Sequence, residues 1–193
     1  MTDKHAPPWL GTIRTRVEQS WSGDVDASDG RNFRPAAVLV LLIDSDDGPS
    51  ILLTERATAL TNYPGILVFP GGSAETADDG SVATAIREAA EETGIDPTHV
   101  HIIGSLPPQH LPDTNFVVTP VVGWCTELER TATMQSAEVA KAFQIPLREF
   151  TEASGRVHRN PATDTTGEMF SFKGTAVGHM TSAVIQTLLG QSL

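Results

Sequence analysis

One cysteine, Cys125, stands in 193 residues, so no disulfide can close within the chain. That fits a reducing cytosol. Its neighbours Val121-Val122-Gly123-Trp124 read as a buried strand, which makes the thiol an inert core group. Long apolar runs are missing too: none approaches the ~20 residues that a membrane helix needs. Met1-Thr2-Asp3-Lys4-His5 has no apolar segment behind it, so no signal peptide is expected. Basic residues are few, 13 against 24 acidic, and the formal net charge is −11. Such a surface repels nucleic-acid backbones, whose binding rests on clustered Lys and Arg. It also disfavours anionic membranes. The expectation is a cytoplasmic protein with neither nucleic acid nor membrane as partner. An anionic substrate would then need a local attractor, either a few placed basic groups or a bound cation. No internal repeat is found. No Gly-x-Ser-x-Gly elbow occurs, so Ser-His-Asp chemistry has no support. His101, His110, His158 and His179 have no metal-ligand spacing and read as surface or loop residues.

What is present suits one domain with a short terminal extension, long enough to bury a core unaided. Residues 1–33 are polar, with room for one short helix near residues 13–21, and read as an extension. Residues 34–193 read as the domain. Ala36-Ala37-Val38-Leu39-Val40-Leu41-Leu42-Ile43 predicts a central strand buried on both faces. Residues 44–50 predict a turn, and Ile51-Leu52-Leu53-Thr54 a returning strand. Ile66-Leu67-Val68-Phe69 predicts a short strand stopped by Pro70-Gly71-Gly72. Residues 100–106 and 116–125 predict further strands, with a Pro-rich loop at 107–115 between them. Residues 138–143 predict a short helix, 169–173 a strand, and 176–189 a closing helix with Val177, Met180, Val184, Ile185 and Leu188 near helical spacing. Strands mixed with helices, without regular βαβ alternation, predict an α+β fold around a mixed sheet.

The chemistry concentrates on a helix predicted over residues 81–93, with Ser81 as N-cap and Gly94 as its stop. At about 100° per residue, Val82, Ile86, Ala89, Ala90 and Thr93 form the packing face. Glu88, Glu91 and Glu92 form a nearly opposite one, stacked at i, i+3 and i+4. Alone, the stack is unfavourable, because each like-charge pair costs roughly 0.2–0.5 kcal/mol and anions near a helix C-terminus oppose the dipole. A hard divalent cation reverses both signs. Carboxylate oxygens suit Mg²⁺ or Mn²⁺, and one carboxylate could take the proton of an attacking water. A glutamate-rich face is also often merely solvated. The preceding Phe69-Pro70-Gly71-Gly72 favours the metal reading. Its glycines let backbone approach a ligand, and the Gly71 carbonyl could add an oxygen. Arg87 could orient Glu88 by a charge-assisted hydrogen bond.

These residues resemble the Nudix box, Gly-x5-Glu-x7-Arg-Glu-hydrophobic-x-Glu-Glu-x-Gly-hydrophobic. Here it reads Gly72, then Asp78 or Asp79, then Arg87-Glu88-Ala89-Ala90-Glu91-Glu92-Thr93-Gly94-Ile95. The acid is Asp instead of Glu, and one extra residue lies between Gly72 and Arg87. The insertion resembles the coenzyme A pyrophosphatase branch, whose upstream pattern is similar to Leu52-Leu53-Thr54-Glu55-Arg56, Leu60-Thr61-Asn62-Tyr63-Pro64-Gly65 and Phe69-Pro70-Gly71-Gly72. That branch carries a basic residue where Thr61 stands and a histidine where Tyr63 stands. The likeness continues through Leu106-Pro107-Pro108 and Val118-Thr119-Pro120-Val121-Val122-Gly123, covering roughly residues 34–150.

The resemblance implies a Nudix-type α/β/α sandwich with a central mixed sheet. It implies Arg87, Glu88, Glu91 and Glu92 as catalytic groups, and Gly71, Glu88, Glu91, Glu92 and a downstream acid, Glu138, as ligands of Mg²⁺ or Mn²⁺. Glu138 also has a plainer reading, a glutamate favourable at a helix N-terminus. Arg56, Thr61, Tyr63 and Gly72 would contact a small nucleotide substrate. The reaction implied is hydrolysis of a nucleoside diphosphate linked to another moiety, coenzyme A or an acyl derivative first. ADP-ribose, dinucleotides and nucleoside triphosphates are the alternatives, and a non-catalytic nucleotide-binding module is a further one. Thr61 and Tyr63 bring no positive charge, which weakens the case for coenzyme A. A homodimer is a further expectation of the family.

Overall fold

A computed structural model describes residues 6–20, 33–60, 63–111, 114–128, 139–151 and 170–190. Its centre is the eight-residue apolar run, which lies within strand β1 (Arg34–Ile43), buried from Ala36 onward. One whole edge of β1 pairs in parallel with β7 (Phe116–Cys125), from Arg34↔Phe116 to Ile43↔Cys125. The other edge is shared. Its C-terminal end pairs antiparallel with β2 (Ser50–Arg56), and its N-terminal half pairs with β4 (Gly71–Ser73). β2 diverges from β1 after that first contact, and residues 67–73 fill the split. Leu67–Val68, strand β3, pairs with β2, and Leu39 N–H then donates to the Pro70 carbonyl at 2.8 Å. The chain thus crosses from one strand to the other, delivering Gly71 and Gly72 onto the edge of β1.

β5 (His101–Ser105) and β6 (Gln109–Leu111) share the far edge of β7, while β8 (Val139–Pro146) runs along the outer edge of β2. All these pairs except β1–β7 are antiparallel, so the sheet is mixed. A separate hairpin joins β9 (Ser171–Phe172) to β10 (Thr175–Ala176). Helix α2 (Gly80–Thr93) covers the sheet face made by Ala37, Leu39, Leu41 and Ile43. Helices α1 (Leu10–Ser20) and α3 (His179–Leu189) contribute to the core on the face of Val38, Val40 and Leu42. The result is the expected α+β sandwich.

α1 lies inside the stretch read as an extension, yet Leu10, Ile13 and Val17 enter the main core. Their i, i+3, i+7 spacing puts them on one face, and burial of each stabilises by roughly 1.5–3 kcal/mol. Trp9 Nε1 donates to Asp44 Oδ1 at 2.8 Å, and Arg16 donates to the Leu188 carbonyl at the end of α3. A cation there complements the helix dipole.

Several local expectations are corrected. Residues 139–143 are strand, not helix, because every residue of β2 from Ser50 to Arg56 finds a ladder partner in β8. Tertiary pairing overrides the helix preference of Ala140, Lys141 and Ala142. Glu138 itself lies outside the described residues. The loop at 107–115 contains β6, three residues made strand by pairing with β7. Gly71 and Gly72 do not simply stop a strand but form one. α3 starts at His179, since Thr175–Ala176 is spent on the hairpin. No helix among the described residues is long and apolar enough to cross a membrane.

Candidate active site

α2 is where the chemistry-bearing residues meet. Its stop is as predicted: Gly94 is left-handed, φ 71°, and its N–H donates to the Ala90 carbonyl. Its start is not. The helix opens at Gly80 with Asp79 at the N-cap and no side-chain cap bond, so Ser81 sits within the first turn. The packing face is also rotated from the predicted arc. Ala85, Ala89 and Thr93 are buried as a set with Thr84 and Glu92, whereas Val82 is 37% exposed.

That rotation turns the acidic stack toward β4. Glu92 is only 8% exposed, and its Oε2 accepts the Gly71 N–H at 3.1 Å. A buried carboxylate is costly unless hydrogen-bonded, so this contact fixes the helix to the strand. Gly72 closes the same joint. A Cβ built there would lie 2.6 Å from the Glu88 carboxylate. Glu88 fills the space that the missing side chain leaves. At Gly71, φ is 155° and a Cβ would meet the Ala37 carbonyl at 2.3 Å. Gly71 is therefore sterically required by backbone, whereas a side chain at Gly72 would have to displace the Glu88 carboxylate.

Arg87 organises the rest. Its Nε donates to Asp78 Oδ1 and its Nη2 to Asp78 Oδ2, both at 3.0 Å, and Nη2 also reaches the Ser73 carbonyl at 3.0 Å. Nη1 lies 3.1 Å from Glu88 Oε1, 3.5 Å from Glu91 Oε2 and 3.8 Å from Glu75 Oε1. Asp78 also accepts from the Glu75 N–H at 2.9 Å and from Thr84 Oγ1 at 3.0 Å. The Arg87 hydrogen bonds first, and the Glu75 N–H next, hold the Asp78 carboxyl well below the usual carboxylate range. The Asp78 bond likewise pushes Arg87 up, keeping it charged. Asp78, not Asp79, is thus the acid tied to the helix. Gly72-x5-Asp78 keeps the box's first spacing, and the extra residue falls between Asp78 and Arg87. Ser73, Glu75 and Thr84 were not singled out by sequence reasoning; they are ordinary polar loop and helix residues whose partnership depends on the loop's path.

The structure therefore brings together Gly71, Gly72, Arg87, Glu88, Glu91 and Glu92. Arg56 ends β2, where its N–H donates to the Ile66 carbonyl at 3.0 Å, and Tyr63 lies in the connection from β2 to β3. Tyr63 is left-handed, φ 53°, an uncommon conformation for a residue other than glycine. Thr61 and Glu138 lie outside the described residues. Among the described residues no group of three or more His, Cys, Asp or Glu side chains is gathered closely enough to hold a metal ion. Arg87 Nη1 is near Glu88 and Glu91, while Glu92 points to Gly71. The donor set is still all oxygen, the carboxylates of Glu88, Glu91 and Glu92 with the Gly71 carbonyl, and that chemistry fits a hard cation.

Residues 33–165 match the NUDIX domain family. "Uncharacterized Nudix hydrolase NudL" of Enterobacter sp. (strain 638) is 44% identical over 122 residues, 63% of this chain and 62% of that one. The protein of the same description from Cronobacter sakazakii (strain ATCC BAA-894) is 43% identical over 128 residues, 66% of this chain and 64% of that one. The match thus spans less than two thirds of either relative's length. The crystal structure of the M. smegmatis Nudix hydrolase RenU aligns with TM-score 0.56 at 15% identity, covering 81% of this chain and 84% of that one. A NUDIX hydrolase from Alicyclobacillus acidocaldarius aligns with TM-score 0.53 at 19% identity, covering 83% and 92%. Both likenesses are of fold.

Proposed function

This chain belongs to the Nudix family, and on that premise we propose that it is a divalent-metal-dependent hydrolase. Its substrate would be a nucleoside diphosphate linked to another moiety. The observation that carries the reading is the joint between α2 and β4, where Gly72 leaves space for the Glu88 carboxylate and Gly71 N–H holds Glu92. A glutamate face that was merely solvated would not seat one carboxylate on a strand's backbone N–H and a second over a glycine.

Glu88, Glu91 and Glu92, with the Gly71 carbonyl, would hold Mg²⁺ or Mn²⁺, and Glu138 is the proposed downstream ligand. Bound there, the cation supplies neutralisation of diphosphate charge and a more acidic water. Arg87 Nη1 orients Glu88, and a carboxylate oxygen of Glu88 or Glu91 accepts the proton of the attacking water. Gly72 lets the substrate's phosphates approach backbone. Arg56 and Tyr63, with Thr61 between them in sequence, would form the substrate-reading part. Coenzyme A or an acyl derivative is the first substrate of this reading. Thr61 and Tyr63 predict only weak preference for it, since neither offers charge to an additional phosphate. Cytoplasmic location, a homodimer and no nucleic-acid partner belong to the same reading, the first and last supported by the free Cys125 and the net charge of −11.

The test is a hydrolysis screen with Mg²⁺ or Mn²⁺ over coenzyme A, ADP-ribose, NADH, diadenosine polyphosphates and nucleoside triphosphates. Metal-dependent release of products from at least one is expected. Nucleotide affinity without turnover would make the chain a binding module instead. A coenzyme A rate far above every competitor's would defeat the inference from Thr61 and Tyr63.

A further inference from the structure

The polar joint sits on the outer edge of β4. Gly71 N–H and the Ser73 carbonyl point away from β1, the first to Glu92 and the second to Arg87. A group bound there lies beside both faces of the sheet. On the face of α1 and α3 the cover thins in that direction: Val40 and Leu42 are fully shielded, Ala36 and Val38 retain 8% exposure, and Arg34 is exposed. Phe116 stands directly across the parallel ladder from Arg34, and the guanidinium lies over its ring, 4.6 Å from the centroid. Ala36, paired with Ser73, separates this rim from the joint by no more than a methyl. Among the described residues Arg34 has no carboxylate partner, although the chain carries 24 acidic side chains.

We infer that Arg34 is a specificity-determining residue: its guanidinium, backed by Phe116, is the platform on which the base of a nucleoside diphosphate stacks. This rests on the metal-dependent reading above, with the diphosphate at the joint. A guanidinium lying over one ring presents its other face outward, and that face attracts a second π system. The reach suits a base. Gly72 pairs with Ala37, three residues from Arg34, which is about 10 Å at the rise of a strand. A nucleoside spans such a distance between its phosphate and its base, whereas phosphates adjoining the cleaved bond stay at the joint. Stacking reads the π face and not the edge of a base, so the platform selects nucleotides over inorganic diphosphate without choosing among bases. The other aromatic contact at this end, Phe33 with His110, lies on the opposite face, because His110 pairs with Val117 and not with Phe116. It is outside the subsite.

The test is calorimetric titration of the full chain, with Mg²⁺ present, by ADP and by inorganic pyrophosphate, with a thermal midpoint for each variant. Arg34→Gln is expected to weaken ADP binding about fivefold or more, as for a base that loses one stacking partner. Pyrophosphate should stay within about twofold, since a screened charge that far from the joint acts weakly. Arg34→Lys should lose ADP affinity as well, because an ammonium keeps the charge but offers no plane. Phe116→Leu should follow Arg34→Gln, and His110→Ala should change neither probe. An equal loss of both probes in Arg34→Gln would make the residue a phosphate ligand, and wild-type ADP affinity in Arg34→Gln or Arg34→Lys would remove the stack. Either result overturns the inference and leaves the metal reading standing. So does a loss in His110→Ala equal to that in Arg34→Gln, or a wild-type chain that binds pyrophosphate but not ADP. Should Phe116→Leu fail to fold, the exposed Arg34 carries the test alone. A wild-type chain that binds neither probe overturns this inference together with the reading on which it rests.

Discussion

The two faces of the sheet are closed by different physics. On one, α1 and α3 meet Val38, Val40 and Leu42 through aliphatic side chains, with Val184, Ile185 and Leu188 buried. On the other, α2 meets the sheet through small residues, Ala85 and Ala89. There the last part of the joint is polar: a buried glutamate on a backbone N–H, and an arginine among four carboxylates. Apolar packing is tolerant of sequence and gives stability. The polar joint is intolerant of geometry, and a site that must bind charge cannot be closed with leucine. The contrast predicts that damage on the first face is read in stability and damage on the second in turnover.

The sharpest challenge to that division is Ile185→Ala. It should cost about 2–5 kcal/mol in urea unfolding, with kcat of the folded protein unchanged; a large fall in kcat would join the two faces functionally. Glu92→Gln should do the reverse. Turnover should drop at least about a hundredfold, or about 2.7 kcal/mol of barrier, because the amide can still accept the Gly71 N–H but carries no charge. Near-wild-type rates would remove the acidic face from the reaction. Gly72→Ala should fall between them, since the new methyl must displace the Glu88 carboxylate. A stability loss of about 1–3 kcal/mol is expected, as for other overpacked positions, together with reduced turnover. Unchanged values of both would show that Glu88 has room to move.

The smallest effect concerns Cys125. Burial, helped by Glu127, pushes its thiol up to about 11. A raised value favours the neutral form in the fold, so its contribution is complete below the ordinary 9.0 and is lost only as pH rises through about 11. At pH 8.5 iodoacetamide should label the native chain far more slowly than the urea-unfolded one. Equal rates would mean that this end of β7 opens readily.

What was legible in the sequence follows the same division. The run from Ala36 to Ile43 and the bounds of β7 could be read directly, because burial on both faces leaves a continuous apolar signature. The Gly94 stop is a matter of local backbone conformation. The polar joint was only half legible. Periodicity assigned Val82 to the packing face and Glu92 to solvent, because no apolarity scale places a carboxylate inside. The hydrogen bond from Gly71, on a distant strand, overrides it. The choice between Asp78 and Asp79 depended on how the loop turns before α2. β6 and β8 were missed for a related reason, since their strand character is supplied by the edges of β7 and β2 and not by their own residues.

The ten-residue parallel ladder of β1 on β7 joins segments about eighty residues apart. Every residue of the acidic joint lies in the loop that this ladder closes. Long-range parallel closure is slow, since chain entropy is lost before contacts compensate. The joint therefore matures late: a nascent chain that has not yet delivered residues 116–125 holds all the glutamates of α2 but no completed sheet to seat them.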